Sequence, residues 1–179
     1  MKVQDSEAVC GVCLDELGDH VVMCNVGAFV SVRHSCVNDV ILQAGREAGY
    51  AALSEQVIHE FGRYNCKRGY ETFEEGRVDV ELFGHPCSPD RFIDGTVWHP
   101  AANHIVKKAA RESGICAAHA VKKKCERYPT RNGKAITACA LETWGWIDPG
   151  FDNFLAELDV LASQRQKNRG VFPIKWRTR

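Results

Sequence analysis

The sequence predicts a mixed α/β (α+β) fold: a short cysteine-rich module, then helix, three strands, helix, strand and helix around one mixed sheet. Three observations carry this expectation. Apolar residues recur at spacings of three and four over residues 32–50 and again from Phe151 to Leu161, the period of helices with one buried face. Residues 77–83 and 92–98 instead alternate apolar and polar side chains, the period of half-buried strands. Residues 135–143, AITACALET, are nearly continuously apolar, as expected of a central strand covered on both faces. With 179 residues and 45% hydrophobic composition, the chain can bury one sizeable core and carry a small appendage.

The amino-terminal module (residues 1–30) holds Cys10 and Cys13 two residues apart, His20 after six more and Cys24 after a further three. Thiolate and imidazole are the ligands zinc prefers in a closed tetrahedral site, and the two-residue gap lets both sulfurs reach one ion at ~2.3 Å. Such a short segment has little core of its own, so a structural Zn²⁺ would supply its folding energy, on the order of 10 kcal/mol. His34 and Cys36 lie close enough in sequence to serve as replacement ligands. A zinc hydrolase would need an open coordination position, whereas four ligands within fifteen residues read as a closed site.

In the first helix Val37, Val40, Ile41, Ala44 and Ala48 form the apolar face, and Gly49 ends it. Residues 53–59 form a short strand carrying Glu55, and residues 60–76 a loop or hairpin excursion. Residues 77–83 place Val78, Val80 and Leu82 on one face and Asp79 and Glu81 on the other. Residues 92–98 oppose Ile93 and Val97 to Asp94 and Thr96. The turn G-H-P-C-S-P-D between these two runs makes them antiparallel neighbours. Adjacent strands lie about 4.8 Å apart, so Asp79 and Asp94 on one face could both reach one cation. Residues 101–128 read as helical with a break near Gly114, and Pro129 stops them. The aromatic turn W-G-W-I-D-P-G leads into the last helix.

Charge is segregated although its formal sum is zero. From Glu71 to Asp94 seven acidic residues face two arginines; from Lys107 to Lys134 nine Lys or Arg face two glutamates; and six basic residues follow from Gln164 onward. An acidic pocket beside a basic surface suits a metal-dependent enzyme acting on a polyanion. No segment approaches the roughly 18 uninterrupted apolar residues of a membrane span, and MKVQDSEAV lacks a signal-peptide apolar region. Nine cysteines, an odd number at irregular spacing, point to metal ligation or burial in a reducing, intracellular setting rather than to a disulfide framework.

The element order, with acids on the second and third strands, resembles the α-β-β-β-α-β core of the PD-(D/E)xK, or restriction-endonuclease-like, superfamily. More closely, the chain resembles the endonuclease region at the carboxy terminus of non-long-terminal-repeat retrotransposon polyproteins. The pieces that carry the resemblance are Cys10, Cys13, His20 and Cys24; Arg33-His34; Arg77-Val78-Asp79; Asp94-Gly95-Thr96; Lys124, Arg127 and Tyr128; and Glu142-Thr143-Trp144-Gly145. It implies a zinc knuckle over residues 1–30, a nuclease domain over 31–165 and a basic tail over 166–179.

The resemblance also implies an endonuclease hydrolysing phosphodiester bonds, with DNA the expected polymer and the nucleus the expected compartment. Asp79 and Asp94 would hold Mg²⁺ or Mn²⁺, and Glu55 would complete the shell. Thr96 stands where the superfamily's motif lysine belongs, so Lys124 becomes the replacement, with Lys122, Lys123 and Lys108 behind it. Arg33, His34, Lys122, Lys123 and Arg127 would contact nucleic acid. Such domains pair as homodimers when two strands are cut and normally sit behind a reverse transcriptase within a polyprotein. Two alternatives compete: a degenerate nuclease fold that only binds nucleic acid or protein, and a ββα-metal site built from His99, Asn103 and His104.

Overall fold

The computed structural model describes residues 10–11, 16, 18–24, 26, 28–67, 70–102 and 104–170. The elements run α1 (Asp19–Met23), α2 (Phe29–Ala48), β1 (Ala51–Val57), a single 3₁₀ turn (His59–Phe61), β2 (Arg63–Lys67) and β3 (Tyr70–Glu74). They continue with β4 (Arg77–Phe83), β5 (Arg91–Trp98), α3 (Val106–Ala109), α4 (Ile115–Arg127), β6 (Ile136–Glu142) and α5 (Pro149–Asn168). Four strands form a mixed sheet in the order β1-β4-β5-β6, antiparallel except for the parallel pair β5–β6. The fold is therefore mixed α/β, as the periodicities predict.

Helices α2 and α5 pack on each other and cover one face of the sheet. There Ile41, Ala44, Val80, Leu82, Ile93, Cys139, Phe154 and Leu158 make the main core. Helix α4 covers the other face over β5 and β6, where Ala117, Ala120 and Ala140 meet under Trp98 and Trp146. Small residues at this contact let helix and sheet backbones approach closely. Val78 is fully buried with Ile58, Phe61 and Phe92.

Local chemistry explains the element ends. Gly49 closes α2 in a left-handed conformation, φ 112°. Asp148 caps α5 by accepting from the N–H groups of Gly150 and Phe151, with Pro149 in the first helical position. Gly114 breaks the 101–128 segment with φ 80°, and a Cβ there would lie 2.2 Å from the Trp146 ring. That segment is less helical than expected: only the four residues of α3 and the thirteen of α4 are α-helix. The 60–76 excursion is the β2–β3 hairpin after the 3₁₀ turn.

Two further expectations change. Strand β6 is an edge strand, not a central one. Its apolar run reflects burial of both faces, Cys139 against the α2–α5 layer and Ala140 against α4. Its outer edge is partly closed by the return of the chain, through the Leu141–Ile147 bridge and Glu142 N–H donating to Trp146 O at 2.8 Å. Helix α5 also runs to Asn168, into the segment expected to be a basic tail. Near its end Arg165 donates to the carbonyls of Arg46 (2.6 Å) and Glu47 (3.3 Å), capping α2 with a cation. Residues 171–179 lie outside the described residues. Among the described residues no helix is long and apolar enough to cross a membrane.

Candidate functional site

Strand pairing determines where the acidic residues meet. The β4–β5 ladder has three pairs, Leu82–Arg91, Glu81–Phe92 and Val80–Ile93, and then stops. Continued by one residue, the same register would oppose Asp79 to Asp94. On the other side of β4, β1 pairs Ser54 with Val80 and Gln56 with Val78 but skips Glu55, whose φ of 54° is left-handed. That conformation costs about 1–2 kcal/mol for an L-residue. Asp79 itself thus has no paired partner on either side, although β1 holds β4 at Val80 and again at Val78 and Arg77; the sheet opens between β4 and β5.

Groups from β4, β5, α2 and α4 meet there. Gly95 N–H donates to Asp79 Oδ2 at 2.7 Å. His34, near the start of α2, brings Nε2 to 3.0 Å from Asp79 Oδ2 and 3.1 Å from the Gly95 carbonyl. Lys124, on α4, donates to Asp94 Oδ1 at 2.7 Å. Gly95 allows this packing, since a Cβ there would lie 2.6 Å from Asn38 Oδ1. Tyr128 ties β4 to the end of α4 by donating to the Arg77 carbonyl at 2.8 Å.

Asp94 is only 3% exposed. Burial first, then a hydrogen bond with Asp79, pushes its carboxyl up to about 7, against the pull of Lys124. The protonated form of Asp94 is thus favoured beside the Asp79 carboxyl, and a bound cation would take that proton's place. Donor atoms of His34, Asp79 and Asp94 lie within 4.8 Å of one another, as ligands of one ion must. Asp94 Oδ2 and Asn38 Oδ1 are buried without a hydrogen-bond partner among the described residues.

A cation accounts for both atoms. Asp94 Oδ2 would ligate it. Asn38 Nδ2 now faces His34 Nδ1 at 3.3 Å, and a half-turn of its amide would let Oδ1 accept from a protonated Nδ1. The Nε2 lone pair would then be free for the ion. The residues present therefore fit a divalent metal with mixed oxygen and imidazole ligands.

The structure brings together Asp79, Asp94 and Lys124, and adds His34, expected as a nucleic-acid contact or a replacement zinc ligand. It does not bring Glu55 to them: that side chain is exposed and faces Arg77 at 3.8 Å. Thr96 is buried within β5, and the ammonium reaches the site from α4 instead. Lys122 is exposed beside Glu126 (3.9 Å), Lys123 lies 5.0 Å over the Trp98 ring, and Arg127 pairs with Glu74 at 2.7 Å. Arg33 keeps Nε and Nη1 buried with no hydrogen-bond partner among the described residues.

In the amino-terminal module Cys10, His20 and Cys24 gather their donor atoms within 4.8 Å, with Cys10 Sγ 3.2 Å from His20 Nε2. Cys13 lies outside the described residues. The ββα-metal alternative is not assembled: His99 is buried between Thr143 (2.5 Å) and Asp19 (3.1 Å), while His104 turns to Trp98. Asn103 lies outside the described residues.

Sequence reasoning missed Asn38 and the structural demand on Gly95. The four-residue spacing of His34 and Asn38 on one helix face was the available signal for the first. Compared with known proteins, the chain matches no protein-family model and no curated protein, so its chemistry is read from these residues and their geometry.

Proposed function

We propose that the chain is a divalent-metal-dependent endonuclease that hydrolyses phosphodiester bonds in DNA, of the restriction-endonuclease-like kind found in non-long-terminal-repeat retrotransposon polyproteins. One observation carries the reading: Asp79, Asp94 and His34 converge in an opened sheet with the Lys124 ammonium 2.7 Å from Asp94.

Asp79 Oδ2, Asp94 Oδ2 and His34 Nε2 would hold Mg²⁺ or Mn²⁺. Once bound, such an ion makes an attacking water more acidic and offsets charge developing on the phosphate. The imidazole nitrogen in the set favours Mn²⁺ over Mg²⁺. Lys124 presents its ammonium to the same space, where it would orient the water or stabilise the pentacovalent phosphate. Its placement depends on α4, whose first turn is pinned by Glu142: the carboxylate accepts from Cys116 N–H at 3.0 Å and Ala117 N–H at 3.2 Å. Asn38 sets the tautomer and angle of His34. Arg33, one residue from His34, has donor capacity to spare for a phosphate oxygen. The Cys10, Cys13, His20 and Cys24 module would hold a structural Zn²⁺ beside the site and position nucleic acid without doing chemistry.

The test is cleavage of plasmid and single-stranded DNA with Mg²⁺ or Mn²⁺ by the natural chain and by Asp94→Ala, once both are known to fold and retain zinc. Metal-dependent cutting by the natural chain that disappears in the variant supports the nuclease. Binding without cutting by the natural chain rejects it in favour of a scaffold whose carboxylates are remnants.

A further inference from the structure

A second group of cations lies on α4 outside the carboxylate site. Between α3 and α4 is a cavity of about 250 Å³, lined by His104, Lys108, Ile115, His119 and Lys122 with Ile105 and Ala118 as its apolar floor. Trp98 braces both imidazoles, with ring centroids 5.3 Å from His104 and 5.5 Å from His119. The two histidines are 6.2 Å apart, and Lys123 lies over the same indole at 5.0 Å. No acidic residue lines the cavity. Lys122 pairs with Glu126 at 3.9 Å with both side chains well exposed, a pairing of little energy.

Partial burial, then Lys123, His104, Lys108 and Lys122, holds the His119 imidazole below its ordinary pKa, so the field is positive and uncompensated. Such a field focuses anions. The anion would have to be held by side chains, because the first N–H groups of α4 are already taken by Glu142. The volume lies below the range usual for whole small-molecule ligands and suits a phosphate with part of its sugar. His119 stands five residues before Lys124, about 7.5 Å along the helix axis and about 140° around it, so at least about two base steps separate the cavity from Lys124.

Resting on the nuclease reading above, we propose that this cavity binds a second phosphodiester of the same nucleic-acid strand, displaced by at least about two nucleotides from the phosphate at Asp79 and Asp94. The pocket sets where along the strand the scissile phosphate falls and adds affinity without base recognition.

The test measures binding of a fluorescein-labelled single-stranded oligonucleotide to the zinc-loaded chain without Mg²⁺ or Mn²⁺, so that no cleavage intervenes. The variants are Lys108→Gln/Lys122→Gln, at exposed positions, and His104→Gln/His119→Gln. Each should weaken binding about three- to tenfold, and the lysine pair should also flatten the plot of log affinity against log salt by about 0.7 per lost phosphate contact. In a series of oligonucleotides each carrying one neutral methylphosphonate, one position should weaken the natural chain and leave the variants indifferent.

Unchanged affinity and salt slope in both variants overturn the pocket. So does a variant that loses only binding of a free deoxynucleoside monophosphate, which would assign the cavity to a nucleotide. Cleavage assayed separately keeps the two readings apart. A chain that never cuts but passes the methylphosphonate test retains the pocket and loses the nuclease. One that cuts with unaltered binding in the variants loses only the pocket.

Discussion

Replacing Asp94 with asparagine separates the cost of burying its charge from the use of that charge. In the folded chain the carboxyl moves from 3.8 to about 7, chiefly through burial and the hydrogen bond with Asp79. That is about three pH units at 1.36 kcal/mol each, so ionising Asp94 without a metal costs about 4 kcal/mol of stability. Its folded pKa is raised, so the folded state holds a proton the unfolded state has released, and stability falls as pH rises from about 4 to 7.

The asparagine side chain mimics the protonated acid and removes this cost. Lys124 can still donate to the amide oxygen, and its pull on the ionised acid is already contained in the value of about 7. Metal-free at pH 8, Asp94→Asn should therefore be about 4 kcal/mol more stable than the natural chain, or about 8–16 °C in Tm, and the difference should vanish near pH 4. Adding Mn²⁺ at pH 8 should stabilise the natural chain and leave the variant unmoved. The assay is urea or thermal unfolding of both zinc-loaded proteins across pH, read as a difference so that all other groups cancel. A variant less stable than the natural chain at pH 8 without Mn²⁺, or a difference that stays flat with pH, refutes the reasoning.

Lys124→Gln should lower metal-dependent cleavage about 10²- to 10³-fold while Mn²⁺ still stabilises the protein, a combination checked by kinetics beside thermal shifts. Gly95→Ala drives a Cβ to 2.6 Å from Asn38 Oδ1 and should cost about 1–3 kcal/mol in urea unfolding along with most of the cleavage. Glu142→Ala leaves the Cys116 and Ala117 N–H groups buried without an acceptor and should cost about 2 kcal/mol, read as a drop in Tm. Withdrawing zinc should expose Cys10 and Cys24 to thiol titration. It should also change the fluorescence of Trp144, which packs 5.8 Å from the His99 ring that α1 contacts through Asp19.

Helices α2 and α5 and strands β4 and β5 were legible because each buries one face, and burial of one face leaves a period in the sequence. So was the opposition of Asp79 and Asp94, which follows from two alternating runs joined by a short turn. The neighbour order was harder. The run ITACALE reports that both faces of β6 are covered but says nothing of its edges, so an edge strand reads like a central one. Glu55 escaped because alternation assumes an extended backbone, whereas its left-handed φ turns the side chain toward Arg77. His34 joined the carboxylates only because the sheet opens at Asp79, and an unmade pairing leaves no mark on hydrophobic periodicity. Lys124 came only from the resemblance, as a replacement for the motif lysine whose place Thr96 takes; its contact with Asp94 depends on the α4–β5 packing, which no local pattern encodes.

The unequal support of the two acid-bearing strands has a mechanical consequence. Strand β5 is bonded to β6 along its whole length from Phe92 to Trp98, so Asp94 rides on a stiff beam. Strand β4 keeps β1 on both sides of Asp79 but misses the Glu55 pairing and has no β5 partner beyond Val80, so the second carboxylate sits at the one interrupted step of its strand, with the Tyr128 hydroxyl and the Gly95 amide as added ties. Compliance is therefore concentrated on one jaw of the site. Whatever adjustment a cation or a phosphate demands should be made by β4, and amide hydrogen exchange should slow there first, at Val78 and Asp79, while β5 keeps its protection throughout.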